Sequence, residues 1–330
     1  MTPLENVPEA YVLSIPAMGS MIDVRWIANS QRTSEDPAKV GEILQADIDR
    51  WVEVMSDYQQ DSQVNQLCRQ AEDGQWHTPS AELWRVLMLC DDWHRWSQGA
   101  FDASVGALTR LRRSQKVATK EQWEQATLSC GWGLIQWDRA VGRVRFARPG
   151  VRLDFGAIGK GFVVDRLGER LKANGIESYC VNASGNMVFG ESPKPTVQGW
   201  PISIGLVDQT DRSLVSLRLS RCGIATSGDL HQKYRDRPGV TDNQEKSSHI
   251  VDPAKQKGLT GSIMATVITS DATSADAFAT ACCVHASRGS LRPWLTGLES
   301  GANGYRGDFE VWVQSLPQAE QNPVLLHWGR

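Results

Sequence analysis

The sequence predicts an α+β fold on three observations. Apolar residues recur at helical spacing in some stretches and alternate in others, so both element types are present. The two types follow one another without the regular strand–helix alternation of a doubly wound sheet. A chain of 330 residues is long enough to bury a core without staples, as one domain or as two closely packed lobes.

Residues 1–10 are expected to be a flexible lead-in. Residues 11–28 read as a strand pair broken at Met18-Gly19-Ser20, with Ile22, Val24 and Trp26 on one face. Val40, Leu44, Ile48, Trp51 and Met55 repeat at helical spacing, as do Leu83, Val86, Leu87 and Cys90 within 81–96. Between these helices a polar turn over 56–62 leads into a short helix at 64–68. After Gly99-Ala100-Phe101-Asp102 the chain reads as loop-rich until Arg143-Val144-Arg145-Phe146, a strand that Pro149-Gly150 ends. Residues 159–174 form a helical pattern, with Gly175 where a C-terminal cap belongs. Strands are expected at 179–181, 202–206, 216–219 and 263–268, a helix at 274–287 and a closing strand at 309–313. Residues 235–248 are the most linker-like stretch, and no internal repeat is seen.

Composition narrows the function classes. A formal net charge of −3 removes the electrostatic case for general nucleic-acid binding. Seven scattered cysteines without a C-x-x-C pair argue against a zinc site or a disulfide framework, and they fit a reducing compartment. The first residues show neither a leader nor a lipidation cysteine, so the chain as written is expected in the cytoplasm; it would be exported if a leader is missing. No run of about 18 apolar residues predicts a transmembrane helix.

Two segments carry most of the chemistry. In Leu153-Asp154-Phe155-Gly156-Ala157-Ile158-Gly159-Lys160-Gly161, glycines permit close backbone approach, the following helix offers N–H groups and the positive end of its dipole, and Lys160 adds a cation. An anion suits such a place, although an ordinary strand-to-helix turn has the same composition. In Asp271–Ala281, Asp276 and Thr280 lie four residues apart on one helix face, with Thr273 or Ser274 placed as the N-cap. A carboxylate and a hydroxyl so placed are hard oxygen ligands of the kind magnesium shares with phosphate, while an Asp in a first turn also simply complements the dipole. His249 sits among polar, turn-forming residues just before a short strand and is a candidate general base. The other histidines (His77, His94, His231, His285, His327) read as packed or surface residues. Phe101 and Tyr58 offer aromatic faces in loops, where a ring-bearing ligand can stack. Walker, Rossmann, zincin and hydrolase signatures are absent.

The order of these pieces resembles the ApbE family of flavin transferases. The matching runs are Met18-Gly19-Ser20, Met55–Ser62, Gly99–Gly106, Leu153–Asp165, Val181–Asn186, Ala225–Asp229, Ser248–Pro253 and Ala275–Ala281. The chain departs from the family pattern at Gln59-Gln60 and at Ala279.

The resemblance implies an ApbE-like, T-fold-related arrangement of mixed sheets packed with helices, with FAD in a cleft between lobes. It implies that Met18, Tyr58, Ala100, Phe101, Asp102, Asp154, Lys160, Ser227, Gly228, His249 and Ile250 line the FAD site, and that the Ala157 carbonyl, Asp276 and Thr280 hold Mg2+. The implied reaction is magnesium-dependent transfer of FMN from FAD to a Thr or Ser hydroxyl of an acceptor flavoprotein, with release of AMP. His249, Lys160 and Asp276 are the catalytic candidates. Hydrolysis of FAD to FMN and AMP, or flavin binding without catalysis, would use the same residues.

Overall fold

The computed structural model describes residues 10–27, 36–114, 118–194, 196, 198–206, 209–228, 233–234, 247–315 and 324–329. Residues 1–9, Asp229, His231 and positions 235–246 of the linker-like stretch lie outside the described residues.

The chain opens with strands β1 (Ala10–Ala17) and β2 (Ser20–Ile27), joined by Met18 and Gly19 at φ 52° and 71°. Two consecutive positive φ values make a two-residue hairpin whose twist matches its strands. Ile22, Val24 and Trp26 are buried on one face, as their alternation predicts. Helices α1 (Pro37–Met55), α2 (Gln63–Gln70) and α3 (Ala81–Trp96) follow. Asp36, Ser62 and Ser80 cap them through side-chain oxygens that accept first-turn N–H groups.

The expected loop-rich stretch after Asp102 instead holds α4 (Gly106–Arg113), α5 (Lys120–Leu128) and β3 (Ile135–Asp138). Neither helix shows an apolar stripe: α4 carries three arginines in eight residues, and α5 buries none of its side chains. For α5 the readable signal is the capping box between Thr119 and Gln122. Strand β4 (Arg143–Phe146) pairs with β3.

Helix α6 (Gly159–Ala173) ends as expected, with Gly175 at φ 77°. Then come β5 (Tyr179–Ala183), β6 (Asn186–Phe189), β7 (Trp200–Leu206), β8 (Gln209–Leu219) and β9 (Cys222–Gly228). Four two-residue strands follow: β10 (Lys233–Tyr234), β11 (Ser247–Ser248), β12 (Val251–Asp252) and β13 (Lys257–Gly258). The chain continues through β14 (Ile263–Thr269), α7 (Ala272–Arg288), α8 (Leu291–Glu299), β15 (Glu310–Ser315) and β16 (Val324–Trp328).

One eight-stranded sheet, ordered β1-β2-β5-β6-β9-β14-β15-β16, organises the molecule. Every neighbouring pair in it is antiparallel. Its two faces go to different partners, because side chains alternate along a strand. Val181, Val188 and Ala225 join the main core under α6 and α7, whereas Cys180, Met187, Phe189 and Ile224 pack with Trp200 and Ile202 of β7. Helix α7 lies on β9 and β14, α6 lies on β5 and β6, and the two helices pack against each other. Among the described residues no helix is long and apolar enough to cross a membrane.

Candidate active site

Helices α6 and α7 meet at their N-terminal ends, and glycine makes that possible. A Cβ on Gly161 would lie 2.2 Å from the carbonyl oxygen of Ala272 and 2.8 Å from the Cβ of Asp276, so only a residue without a side chain fits. The Gly161 N–H donates to Asp276 Oδ2 at 3.0 Å. The N-terminus of α6 therefore already holds an anion, the carboxylate of Asp276, while its own N-cap residue Ile158 supplies no side-chain cap. This changes the expectation of an open N-H cradle: the glycine-rich turn serves first to bring two helices together.

The other side of the junction is held by Asp165 on α6. Its carboxylate accepts from Ala272 N–H at 2.9 Å, Thr273 N–H at 2.7 Å and the Thr273 hydroxyl at 2.5 Å. The N-cap of α7 is Asp271, which accepts from Ser274 N–H at 2.7 Å, rather than Thr273 or Ser274. Thr273 fails as a cap because its hydroxyl is committed to Asp165. Helix α7 is thus fixed at its first turn by two carboxylates, and Asp276 and Thr280 project from that fixed start.

A cavity of about 1880 Å³ opens at this junction. Ala157, Lys160, Asp276 and Thr280 line it from the helix side. From the sheet come Ser227 and Gly228 at the end of β9, with the Ser227 hydroxyl 3.0 Å from the Thr280 hydroxyl. Met18 enters from the β1–β2 turn, Tyr58 from the turn before α2, and Ala100, Phe101 and Asp102 from the loop after α3. Asp154, His249 and Ile250 complete the set, so every residue predicted for the site faces one cavity.

Two details depart from expectation. Phe101 is a core residue at 2% exposure, its backbone N–H donating to Ser97 Oγ at 2.9 Å, so little of its ring is open to the cavity. Asp102 accepts from Ser104 and from the Trp132 N–H, a commitment that shapes the loop.

Asp276 is 3% exposed, and burial pushes its carboxyl up to about 6, against the pull of the Gly161 N–H and the Lys160 charge. Among the described residues no group donates to its Oδ1. A buried carboxylate with one uncommitted oxygen, lining the same cavity as Thr280 and Ala157, has the hard-oxygen character that a divalent cation such as magnesium takes. Among the described residues no cluster of three or more His, Cys, Asp or Glu offers a rival metal site.

His249 is exposed between buried Ser248 and Ile250. Its backbone is fixed from both sides: Ser248 N–H donates to Leu259 O at 2.7 Å, and Leu259 N–H donates to Ile250 O at 2.9 Å. The Arg112 guanidinium, buried at 6% exposure, donates to Ser247 Oγ at 2.7 Å and to Ser248 O at 2.5 Å. Of the remaining histidines described, His285 is buried and stacked on Trp294, His94 stacks on Trp132, and His77 and His327 pair with Asp73 and Glu310.

Sequence reasoning missed several cavity residues. Thr109, Arg112 and Arg113 line it, and the three arginines in Thr109-Arg110-Leu111-Arg112-Arg113 were the available signal; Asp57, which also lines it, was visible only within the Met55–Ser62 motif. Asn186 was visible only as part of a motif. It lines the cavity, and its buried Oδ1 has no hydrogen-bond partner among the described residues.

Known proteins share this architecture. The ApbE family matches residues 18–295. An FAD:protein FMN transferase of Chlamydia muridarum is 28% identical over 223 residues, which span 65% of this chain and 66% of that protein, just under two thirds. One from Vibrio cholerae is 27% identical over 289 residues, covering 84% of this chain and 81% of its own. The solved flavin transferase ApbE from Vibrio cholerae superposes with a TM-score of 0.78 at 22% identity, over 97% of each chain. The ApbE protein of Thermotoga maritima superposes with a TM-score of 0.75 at 23% identity, over 96% of each.

Proposed function

The chain belongs to the ApbE family, and on that footing we propose that it transfers FMN from FAD to a Thr or Ser hydroxyl of an acceptor protein and releases AMP. The observation that carries the reading is the junction of α6 and α7, where a buried Asp276 and its neighbour Thr280 face a cavity also lined by Lys160 and the Ala157 turn.

In this reading the acceptor hydroxyl forms a bond to the FMN phosphorus, the bond between the two phosphates breaks, and AMP leaves with its phosphate. His249 takes the hydroxyl proton. Lys160 lies beside the charge that grows on the leaving phosphate. Asp276, Thr280 and the Ala157 carbonyl would hold Mg2+, which when bound neutralises charge on the diphosphate. Relatives named FAD:protein FMN transferase support the choice of substrate and product.

The test is incubation with FAD and magnesium, with and without candidate acceptor proteins, following AMP by chromatography and the acceptor by mass spectrometry. The reading predicts an FMN adduct on a Thr or Ser, with AMP release that depends on the acceptor. AMP release that ignores the acceptor would replace transfer by hydrolysis, and FAD binding without AMP would leave a carrier. In the host, the adduct should vanish when the gene is deleted.

A further inference from the structure

Arg113, the last residue of α4, lines the cavity and touches three of its other groups. Its guanidinium carbon sits 4.4 Å from the centre of the Tyr58 ring, and Nη1 donates to the Tyr58 hydroxyl at 3.0 Å. Nη2 pairs with the Asp57 carboxylate, and Nη1 lies 3.5 Å from Asp154 Oδ2. Asp154 is itself held by the Thr109 hydroxyl at 2.5 Å and the Gly156 N–H at 2.8 Å. The cation therefore ties the turn before α2 to the turn before α6.

Tyr58 needs such a tie. It is 75% exposed, and a tyrosine so exposed ordinarily samples several rotamers. The backbone around it is pinned, since the Asn65 amide donates to the carbonyls of Ser56, Asp57 and Gln59, and Arg110 donates to that of Asp57. None of those bonds reaches the ring; Arg113 does, through a cation–π contact and a hydrogen bond. Arg113 also offsets two carboxylates on the wall of a cavity that would take an anionic diphosphate.

We propose that Arg113 is a positioning residue for substrate: it holds the Tyr58 ring as a preformed platform on which a planar heterocycle of FAD stacks, and it neutralises Asp57 and Asp154 beside that platform. The inference rests on the FAD reading above. Pre-ordering an exposed side chain and supplying the stacking surface together predict an affinity effect of about tenfold.

The test is a double-mutant cycle on FAD affinity, read by flavin fluorescence, with the wild type, Arg113→Ala, Tyr58→Ala and the double variant. Each single change should weaken binding about tenfold, and the double change should weaken it by clearly less than the roughly hundredfold product, the part beyond tenfold reflecting the loss of neutralisation at Asp57 and Asp154. Arg113→Lys should recover only part of the loss, because an ammonium cannot both lie flat on the ring and bridge two carboxylates. A ligand-free readout guards against a general folding defect. With circular dichroism unchanged, the Tyr58 ring resonances should move towards their random-coil positions in Arg113→Ala.

Losses that simply add, wild-type affinity in Arg113→Ala, or unmoved Tyr58 resonances would each overturn the proposal while leaving the FAD reading intact. Failure of the wild type to bind FAD would overturn both.

Discussion

Replacing Gly161 with alanine puts one methyl group into the contact that seats Asp276. Two effects of opposite sign compete. Replacing a glycine in the first turn of a helix favours folding by at most about 1 kcal/mol. The new Cβ, however, would lie 2.2 Å from Ala272 O and 2.7 Å from Ala272 C, both backbone atoms that no rotamer change can move aside. That is roughly 1 Å short of ordinary contact, so α6 and α7 must separate by about that distance, at an overpacking cost of ~1–3 kcal/mol or more. The packing effect wins, because the clash is backbone against helix on a buried seam, and the net loss should be ~1–2 kcal/mol. A displacement of this size at a reacting group costs about 10²-fold in rate. Thermal or denaturant unfolding gives the first number, and magnesium-dependent AMP release from FAD gives the second. An alanine variant with wild-type stability and wild-type turnover would refute the claim that this close approach positions the carboxylate.

Other outcomes follow from the same seam and from the His249 segment. Asp165 has its carboxyl pushed up to about 6 by burial and by nearby Asp271, against the three donors that favour its charged form. Unfolded, it titrates near ~3.9, so the folded state holds the proton more tightly: its contribution is full below about pH 4 and is lost as pH rises through about 6. Asp276 adds a dependence of the same sign. Burial pushes the His285 imidazole down to about 4, which opposes that trend over the same range, so the test is the difference between proteins in denaturant titrations: Asp165→Asn should remove a falling component of the stability–pH slope between about pH 4 and 6, and an unchanged slope would contradict the assignment. Gly258→Ala would put a Cβ 2.3 Å from Arg112 Nη2 and 2.4 Å from Ser248 O, disturbing the segment that carries His249. Steady-state kinetics should show kcat falling on the order of tenfold or more, and an unchanged kcat would detach this packing from the placement of His249. His249→Ala should slow FMN transfer by about 10²- to 10⁴-fold while FAD still binds; a fully active variant would remove this residue from the mechanism.

What could be read from the sequence was what short-range pattern encodes. The stripes of α1 and α3, the alternation of β2 and the Asp276/Thr280 spacing on α7 are periodicities, and each appears where its period predicts. Helices α4 and α5 escaped because neither buries a stripe, so the hydrophobic signal was missing while the capping signal at Thr119 was present. The roles of Gly161 and Thr273 escaped for a different reason. Gly161 looks like part of an anion cradle until α7 is seen to lie against it, and Thr273 looks like a cap until Asp165 claims its hydroxyl. Both depend on partners more than 100 residues away. The arginines of α4 likewise gain meaning only once the fold brings Asp57, Tyr58 and Ser248 to them.

The central claim is that the buried Asp276 at the α6–α7 junction serves magnesium-dependent cleavage of FAD. Asp276→Asn keeps the volume and an acceptor for the Gly161 N–H while removing the charge, so the fold should survive, as judged by circular dichroism and unfolding. Loss of several kcal/mol of charge stabilisation predicts that AMP release from FAD at saturating magnesium falls on the order of 10²-fold or more. A folded Asp276→Asn protein that releases AMP at the wild-type rate would contradict the account.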